Sequence, residues 1–194
     1  MNGSAASTPR RIGVLRQIRE DLDTVVARDP SRPRLRDALL HSPWHGLALH
    51  RIAHRLHLRD HRFAAGLLTL AGRLLSGMEL HPGARIGRRA FIDHGFGVVI
   101  GETARVGDDV TLYHGVTLGS RGWSRAPEPG VRRHPVIGDD VLIGVGASVL
   151  GPVTIAPGNR IRAHSLILRD LPAPGRAVRI DPVREAAHHS RSTA

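Results

Sequence analysis

Residues 80–118 read LHPGARIGRRAFIDHGFGVVIGETARVGDDVTLYHGVTL, and this stretch decides the fold. An aliphatic residue recurs at nearly every sixth position here, and the period resumes later in the chain. The aliphatic positions are Leu80, Ile86, Ile92, Ile100, Val106, Leu112, Leu118, Ile137, Ile143, Val149, Ile155, Ile161 and Ile167. A six-residue period fits neither a helix nor a simple hairpin meander. It is the signature of hexapeptide β-helix repeats.

The repeat predicts the shape of the core. Three hexads close one triangular coil, and each aliphatic residue points into a prism that admits only slim side chains. Aromatic residues make up only 3% of the 194 residues, as such a core requires. We therefore predict a mainly β fold, a left-handed parallel β-helix of about four coils, with an N-terminal α-helical region covering one open end.

The residues before the repeat are expected to be helical. One apolar stripe at helical spacing predicts the first helix, namely Leu15, Ile18, Leu22 and Val25. Pro30 ends that helix. Two further helical patterns span 44–58 and 63–75, and Gly77 is placed to end the second. The predicted organisation is a disordered tail at 1–12, a helical region at 13–77, a β-helix domain at 78–172 with a projecting loop at 120–134, and a C-terminal tail at 173–194.

Composition limits the chemistry and the partners. The chain has no cysteine, which excludes disulfides, cysteine-bound zinc and thiol catalysis, and suits a reducing compartment. The net charge of +11 comes entirely from arginine. A basic surface suits nucleic acid, a membrane or cofactor phosphates, but no basic helix carries interleaved aromatic residues, so no nucleic-acid partner is predicted. No apolar run reaches the roughly 20 residues of a membrane span and no signal peptide is apparent, so we expect a cytoplasmic protein without a membrane partner.

Function is expected where the repeat breaks, because regular coils serve as scaffold. The step from Ile92 to Ile100 is eight residues instead of six, and the extra residues lie in a segment that begins with Asp93 and His94. The second break ends in Arg133-His134 and forms the polar, Pro/Gly-rich loop. A histidine beside a carboxylate is a candidate general base, since the ordinary pKa of imidazole lies near neutral pH. The alternative is that His94 only satisfies a turn.

The segment GMELHPGARIGRRAFIDHGFGVVIGETARVGDDVTLYHGVTLG, residues 77–119, resembles the serine acetyltransferases. The resemblance runs from about residue 18 to residue 170 and includes RHPVIGDDVLIGVGA at 133–147. It implies a serine O-acetyltransferase, an enzyme that converts acetyl-CoA and L-serine to O-acetyl-L-serine and CoA in the first step of cysteine biosynthesis. It also implies a homotrimer whose active sites form between neighbouring subunits.

The resemblance assigns roles to individual residues. His94 matches the general base, and Glu79 matches the carboxylate that orients it, a position where the family usually has aspartate. The residues matching the serine-binding set are Asp29, Asp93, Glu102, Arg133 and His134. The positions matching the CoA groove are Gly119, Ser120, Val145, Arg160 and Ala163, with Ser120 and Val145 replacing the usual glycine and alanine. Acetyl-CoA is the co-substrate, and no metal is implied.

Other functions remain open at this stage. A related acetyltransferase acting on homoserine is one alternative, and the glutamate at position 79 favours a second, an inactive paralogue. A β-helix carbonic anhydrase binding zinc through histidines is a third, but the histidines lack the close pair that such a site requires. The C-terminal residues differ from the family's usual terminal segment, so we do not predict a complex with the next enzyme of cysteine synthesis.

Overall fold

Each hexad folds as one short strand and one tight turn. The computed structural model describes residues 13–122 and 130–174. In these ranges the strands are β1 (Glu79–Leu80), β2 (Arg85–Ile86), β3 (Phe91–Asp93), β4 (Val99–Ile100), β5 (Arg105–Val106), β6 (Thr111–Tyr113), β7 (Thr117–Gly119), β8 (Val136–Ile137), β9 (Leu142–Ile143), β10 (Ser148–Leu150), β11 (Thr154–Ile155), β12 (Arg160–Ile161) and β13 (Leu166–Ile167).

The strands build the three faces of a prism. Face A contains β1, β4, β7, β10 and β13, face B contains β2, β5, β8 and β11, and face C contains β3, β6, β9 and β12. Strand pairing within each face is parallel. The chain therefore passes from A to B to C and rises by one strand per circuit. The predicted left-handed parallel β-helix with N-terminal helices is confirmed.

Two corners of the prism concern function. The C/A corner contains the turns that lead from face C to face A, at residues 94–98, 114–116, 144–147 and 162–165. The A/B corner contains the turns that lead from face A to face B, at residues 81–84, 101–104, 120–122 with 130–135, and 151–153. Residues 123–129 of the predicted loop, and most of both predicted tails, lie outside the described residues.

The predicted inward positions form the core. All thirteen aliphatic residues of the repeat are at most 9% exposed. They stack in register; on face A, for example, Leu80 lies beside Ile100, which lies beside Leu118. Each such side chain contributes about 1.5–3 kcal/mol of burial free energy. The core is therefore one continuous aliphatic column.

Four helices precede the prism in the described chain. They are α1 (Val14–Arg28), α2 (Leu35–Ala38), α3 (Ser42–His57) and α4 (Arg62–Ser76). The three predicted helices are confirmed, and Gly77 ends α4 in the left-handed conformation with φ of 69°. Leu15 is 82% exposed, so the apolar stripe of α1 packs only farther along the helix. The helices contain more residues than the short strands, so "mainly β" describes the chain only loosely. None of these helices is long and apolar enough to cross a membrane.

A buried ion pair attaches the helices to the prism. Arg51 on α3 donates to both carboxylate oxygens of Asp21 on α1, at 3.0 and 3.2 Å. Its guanidinium also donates to the backbone oxygens of Ile86 and Gly87, at the end of β2. Because both side chains are almost fully buried, each charge depends on the other for compensation. One arginine therefore connects two helices to the first coil.

Histidines form a second attachment beside it. The ring nitrogens of His50 and His54 on α3 donate to the carbonyl oxygens of His81 and Pro82, at 3.3 and 2.8 Å. The Nδ1 atom of His50 is buried and has no partner among the described residues. Burial lowers the pKa of His50 to about 3, with the charge of Arg51 acting in the same direction. Burial also lowers the pKa values of His54 and His81. The junction therefore requires neutral imidazoles.

This junction predicts that acid destabilises the fold. The pKa of His50 is lower in the folded chain than its value of about 6.5 in the unfolded chain, so the unfolded state binds more protons between these values. The stabilisation is present above pH 6.5 and decreases as the pH falls toward the folded pKa of about 3. We expect His50→Gln to reduce the slope of unfolding free energy against pH, measured by urea denaturation between pH 8 and 5.

His61→Gln is the matched control, because His61 is exposed and its side chain makes no capping hydrogen bond at the start of α4. This control is expected to keep the wild-type slope. An identical slope for His50→Gln and the wild type would contradict the assignment.

Candidate active site

His94 lies at the C/A corner, at the start of the eight-residue step between Ile92 and Ile100. His94 follows β3 and adopts φ of 61°. Backbone hydrogen bonds close the turn, since the Phe96 N–H donates to the His94 carbonyl at 2.8 Å and the Gly97 N–H donates to the Gly77 carbonyl at 3.0 Å. The His94 side chain is 76% exposed. This turn thus presents an imidazole on the surface of the prism.

Two predicted carboxylates lie near this imidazole. The Asp93 Oδ1 atom is 3.7 Å from the His94 Nε2 atom. Asp29 lies just after α1, where Oδ1 accepts bonds from the backbone and hydroxyl of Ser31 at 2.9 and 2.6 Å. Burial acts to raise the pKa of Asp29, but the bonds from Ser31 outweigh it and leave the pKa below its usual value. The Asp29 carboxylate is therefore suited to remain ionised beside a cationic group.

His41 lies between these groups and was not found from the sequence. Its ring stacks on Phe91 with a centroid distance of 5.9 Å, and its Nδ1 atom is buried without a partner among the described residues. Burial lowers the pKa of His41, while the nearby charges of Asp29 and Asp93 oppose that change. A neutral histidine thus packs behind the two carboxylates. Its only sequence signal was a position just before a helix.

Glu79 has a different partner from the one predicted. Its Oε2 atom lies 3.1 Å from the Arg73 Nη1 atom of α4, and both side chains are about half exposed or more. Among the described residues, the carboxylate that pairs with His94 is Asp93 and not Glu79. The predicted pairing of Glu79 with His94 therefore stays a prediction. An exposed pair of this kind is worth little energy, so the Arg73 contact does not fix Glu79 strongly.

The remaining predicted serine ligands gather at the A/B corner. The Arg133 Nη2 atom donates to Glu102 Oε2 at 2.9 Å. The Thr103 hydroxyl lies 2.8 Å from His134 Nδ1 and accepts the backbone N–H groups of Arg133 and His134 at 3.0 and 3.1 Å. Burial lowers the pKa of His134, and the Arg133 guanidinium acts in the same direction. Thr103, which was not predicted, thus fixes the end of the loop onto the coil below.

Gly101 explains how His134 fits there. A Cβ atom on Gly101 would lie 2.1 Å from the His134 ring. The ring therefore occupies the space that any other residue at position 101 would fill. The glycine that follows the inward aliphatic residue serves here to seat a functional side chain.

The predicted serine-binding residues thus form two groups at two corners. Asp29, Asp93 and His94 lie at the C/A corner, which carries carboxylates. Glu102, Arg133 and His134 lie at the A/B corner, where the arginine projects. The two corners are separated by face A, on which Glu79 lies in β1. One protomer therefore does not bring the two groups together.

The predicted CoA positions follow the prism axis. Val145 and Ala163 lie at the C/A corner, farther along the corner that carries His94, and the Val145 carbonyl accepts the His164 N–H at 2.7 Å. Gly119 ends β7 and Ser120 follows it, at the start of the A/B corner. Arg160 lies on face C and pairs with Asp140 at 3.1 Å. Val145 and Ala163 thus lie along the corner of His94, whereas the other three positions lie elsewhere.

Metal ligands do not cluster in the described ranges, where no group of three or more histidine, aspartate or glutamate side chains is arranged to hold an ion. The zinc alternative therefore has no support from the geometry of one protomer.

Known proteins resemble this chain over most of its length. The family model described as bacterial transferase hexapeptide (six repeats) matches residues 134–169. Serine acetyltransferase from Bacillus subtilis is 46% identical over 171 residues, which cover 84% of this chain and 76% of the relative. Serine acetyltransferase from Helicobacter pylori is 46% identical over 158 residues, covering 81% of this chain and 90% of the relative.

Solved structures agree with these relatives. The crystal structure of Neisseria gonorrhoeae serine acetyltransferase superposes with a TM-score of 0.75 at 36% identity, covering 82% of this chain and 61% of that chain. A Brucella abortus serine acetyltransferase in complex with coenzyme A gives a TM-score of 0.75 at 35% identity, covering 84% of this chain and 67% of that chain. Sequence and fold point to the same group, and this chain belongs to the serine acetyltransferase family.

Proposed function

We propose that this chain transfers the acetyl group of acetyl-CoA to the hydroxyl of L-serine, as the first step of cysteine biosynthesis. The observation that carries the proposal is the exposed His94 at the C/A corner, with Val145 and Ala163 farther along the same corner. Relatives have been solved in complex with serine and with coenzyme A, which supports the same pair of substrates here. The lack of cysteine suits a reducing compartment, which we propose is the cytoplasm.

The residues present suit a direct transfer. His94 takes the proton of the serine hydroxyl while the oxygen attacks the thioester carbonyl carbon. The C–S bond then breaks, and the imidazolium returns the proton to the thiolate of CoA. The carboxylates of Asp29 and Asp93 suit the ammonium group of serine, and Arg133 suits its carboxylate. No covalent enzyme intermediate and no metal are needed.

A second protomer completes this site in our proposal. Serine carries its ammonium and carboxylate groups on one carbon, yet the matching side chains lie at two separate corners of one prism. A homotrimer with threefold symmetry joins the C/A corner of one protomer to the A/B corner of the next. Association is also supported by an exposed apolar face of α4, formed by Phe63, Leu67, Leu70 and Leu74.

Removal of the base tests the activity. We expect His94→Asn to lower kcat for serine acetylation by about a hundred- to ten-thousandfold, because asparagine cannot take the proton. Purified protein is assayed for release of CoA with serine, homoserine and an amino sugar as acceptors. His61→Asn, a remote exposed change, is the control and is expected to keep full activity. Acetylation of homoserine or of the sugar alone would overturn the serine assignment, and no transfer at all would indicate the inactive paralogue.

The division of the site between protomers has its own test. We expect His94→Asn and Arg133→Gln to be inactive separately but to regain activity when refolded together, because about one site in four then pairs two intact corners. The mixture of His94→Asn with Asp93→Asn is the control, since both changes affect the same corner. Light scattering is expected to give three times the 21.0 kDa of one chain. Failure to recover activity in mixed trimers would contradict the shared site.

Glu79 is tested against its alternative partner. If Glu79 orients His94, then Glu79→Gln lowers kcat by at least about tenfold, because the charge that stabilises the imidazolium is lost. Glu79→Asp is expected to keep most of the activity. Arg73→Gln separates the two roles, because it removes the observed ion pair and leaves the carboxylate. Equal losses in Glu79→Gln and Arg73→Gln would assign Glu79 to the ion pair alone.

A further inference from the structure

Thr103 determines which nitrogen of the His134 ring carries the proton. The Thr103 backbone N–H donates to His134 Nδ1 at 3.2 Å, and a backbone N–H acts only as a donor. The Thr103 hydroxyl oxygen accepts two bonds, from the backbone N–H groups of Arg133 and His134, at 3.0 and 3.1 Å. Its own proton is therefore directed to its remaining partner, His134 Nδ1, at 2.8 Å. Two donors thus meet at Nδ1, which must be the unprotonated nitrogen.

The surroundings keep this ring neutral. His134 is buried, and burial lowers its pKa; the Arg133 guanidinium acts in the same direction, whereas Glu102 opposes it. A proton on Nδ1 would also face the two donors of Thr103. A neutral imidazole whose Nδ1 is unprotonated carries its proton on Nε2. His134 is therefore fixed as an N–H donor at Nε2, and neither of its nitrogens has a free lone pair with which to take a proton.

The Nε2–H group of His134 is free to meet a ligand. It makes no hydrogen bond within the described residues, where the buried ring nitrogens that lack a partner are those of His41 and His50, so Nε2 of His134 reaches the surface. The neighbouring Arg133, whose backbone is held by the same hydroxyl, contacts Glu102 at this A/B corner. A guanidinium and a neutral N–H on adjacent residues suit a carboxylate, because its two oxygens accept several hydrogen bonds.

We propose that Thr103 is a positioning residue for the acceptor, which holds His134 as the Nε2–H tautomer and so directs a second donor, beside Arg133, at the carboxylate of serine. This inference rests on the proposed function. Thr103 acts only through the two residues that it holds. The two histidines of the site then have separate roles, since His94 takes a proton and His134 donates a hydrogen bond.

Serinamide separates positioning from folding, because it keeps the ammonium and hydroxyl groups of serine but has no carboxylate. Thr103→Val keeps the shape of the side chain and removes the hydroxyl, whereas Thr103→Ser keeps the hydroxyl. We expect Thr103→Val to lower kcat/KM for serine by about tenfold more than for serinamide, since a hydrogen bond to a charged group is worth that factor. Thr103→Ser is expected to stay within about threefold of the wild type for both acceptors.

Thr154→Val is the matched control, because it makes the same change on the exposed surface of strand β11. It is expected to leave the activity toward both acceptors unchanged. Equal losses for serine and serinamide in Thr103→Val would assign Thr103 a structural role and overturn the proposal. Wild-type activity in Thr103→Val would overturn it as well.

The tautomer is measured without any reaction. In protein whose histidines are labelled with ¹⁵N, NMR separates protonated from unprotonated ring nitrogens, and His134→Gln identifies the signals of His134. We expect the proton on Nε2 at neutral pH, and a proton on Nδ1 would overturn the inference even in an active enzyme. A wild-type chain that acetylates no serine would defeat the proposed function and this inference with it, whereas an active wild type with the other tautomer defeats this inference alone.

Discussion

The structure depends on the stacking of aliphatic side chains inside a prism that is only one side chain wide. Every sixth residue must point inward and must fit above its counterpart in the coil below. The interior therefore has no room for a ligand or a charged group, and the faces are occupied by strand pairing. Chemistry is restricted to the corners, where the chain turns and side chains project. Corner positions of successive coils then line up along the axis of the prism.

Periodicity predicts this fold well because the same contact recurs in every coil. The inward residues, the two breaks in the repeat and the ends of the longer helices all follow from local spacing. Leu15 was predicted to belong to the apolar stripe of α1, but its side chain is exposed. The first turn of α1 extends beyond the surface that the rest of the helix covers. Helix α2 was not predicted, since four residues between two turns give no period. Local spacing does not predict where the helices pack on the prism. That position depends on hydrogen bonds from Arg51 to the carbonyl groups of the first coil.

The same distinction applies to the site. The break at His94 and the end of the loop at Arg133 were visible in the sequence because they interrupt the six-residue repeat. Thr103 and His41 were not, because each acts on residues that are distant in the chain. The family resemblance assigned Glu79 the role of orienting His94. Its position in the sequence does not determine which charged side chain its carboxylate contacts. Arg73 approaches Glu79 because α4 ends directly before β1. A glutamate reaches farther than an aspartate, so the longer side chain is able to contact a helix instead of the turn.

In the proposed trimer, the charged side chains that bind the substrate also lie at the interface between protomers. One corner carries the carboxylates of Asp29 and Asp93, and the other carries the guanidinium of Arg133, which in the free protomer is paired with Glu102. Placed together across an interface, these groups attract each other, yet each is also a ligand for one end of a zwitterion. Serine inserted between them places its ammonium group against the carboxylates and its own carboxylate against the guanidinium. Serine binding and the association of protomers then depend on the same charged groups. The acceptor must therefore carry both an ammonium and a carboxylate group. A sugar hydroxyl offers neither, whereas homoserine offers both and differs only in the reach of its hydroxyl.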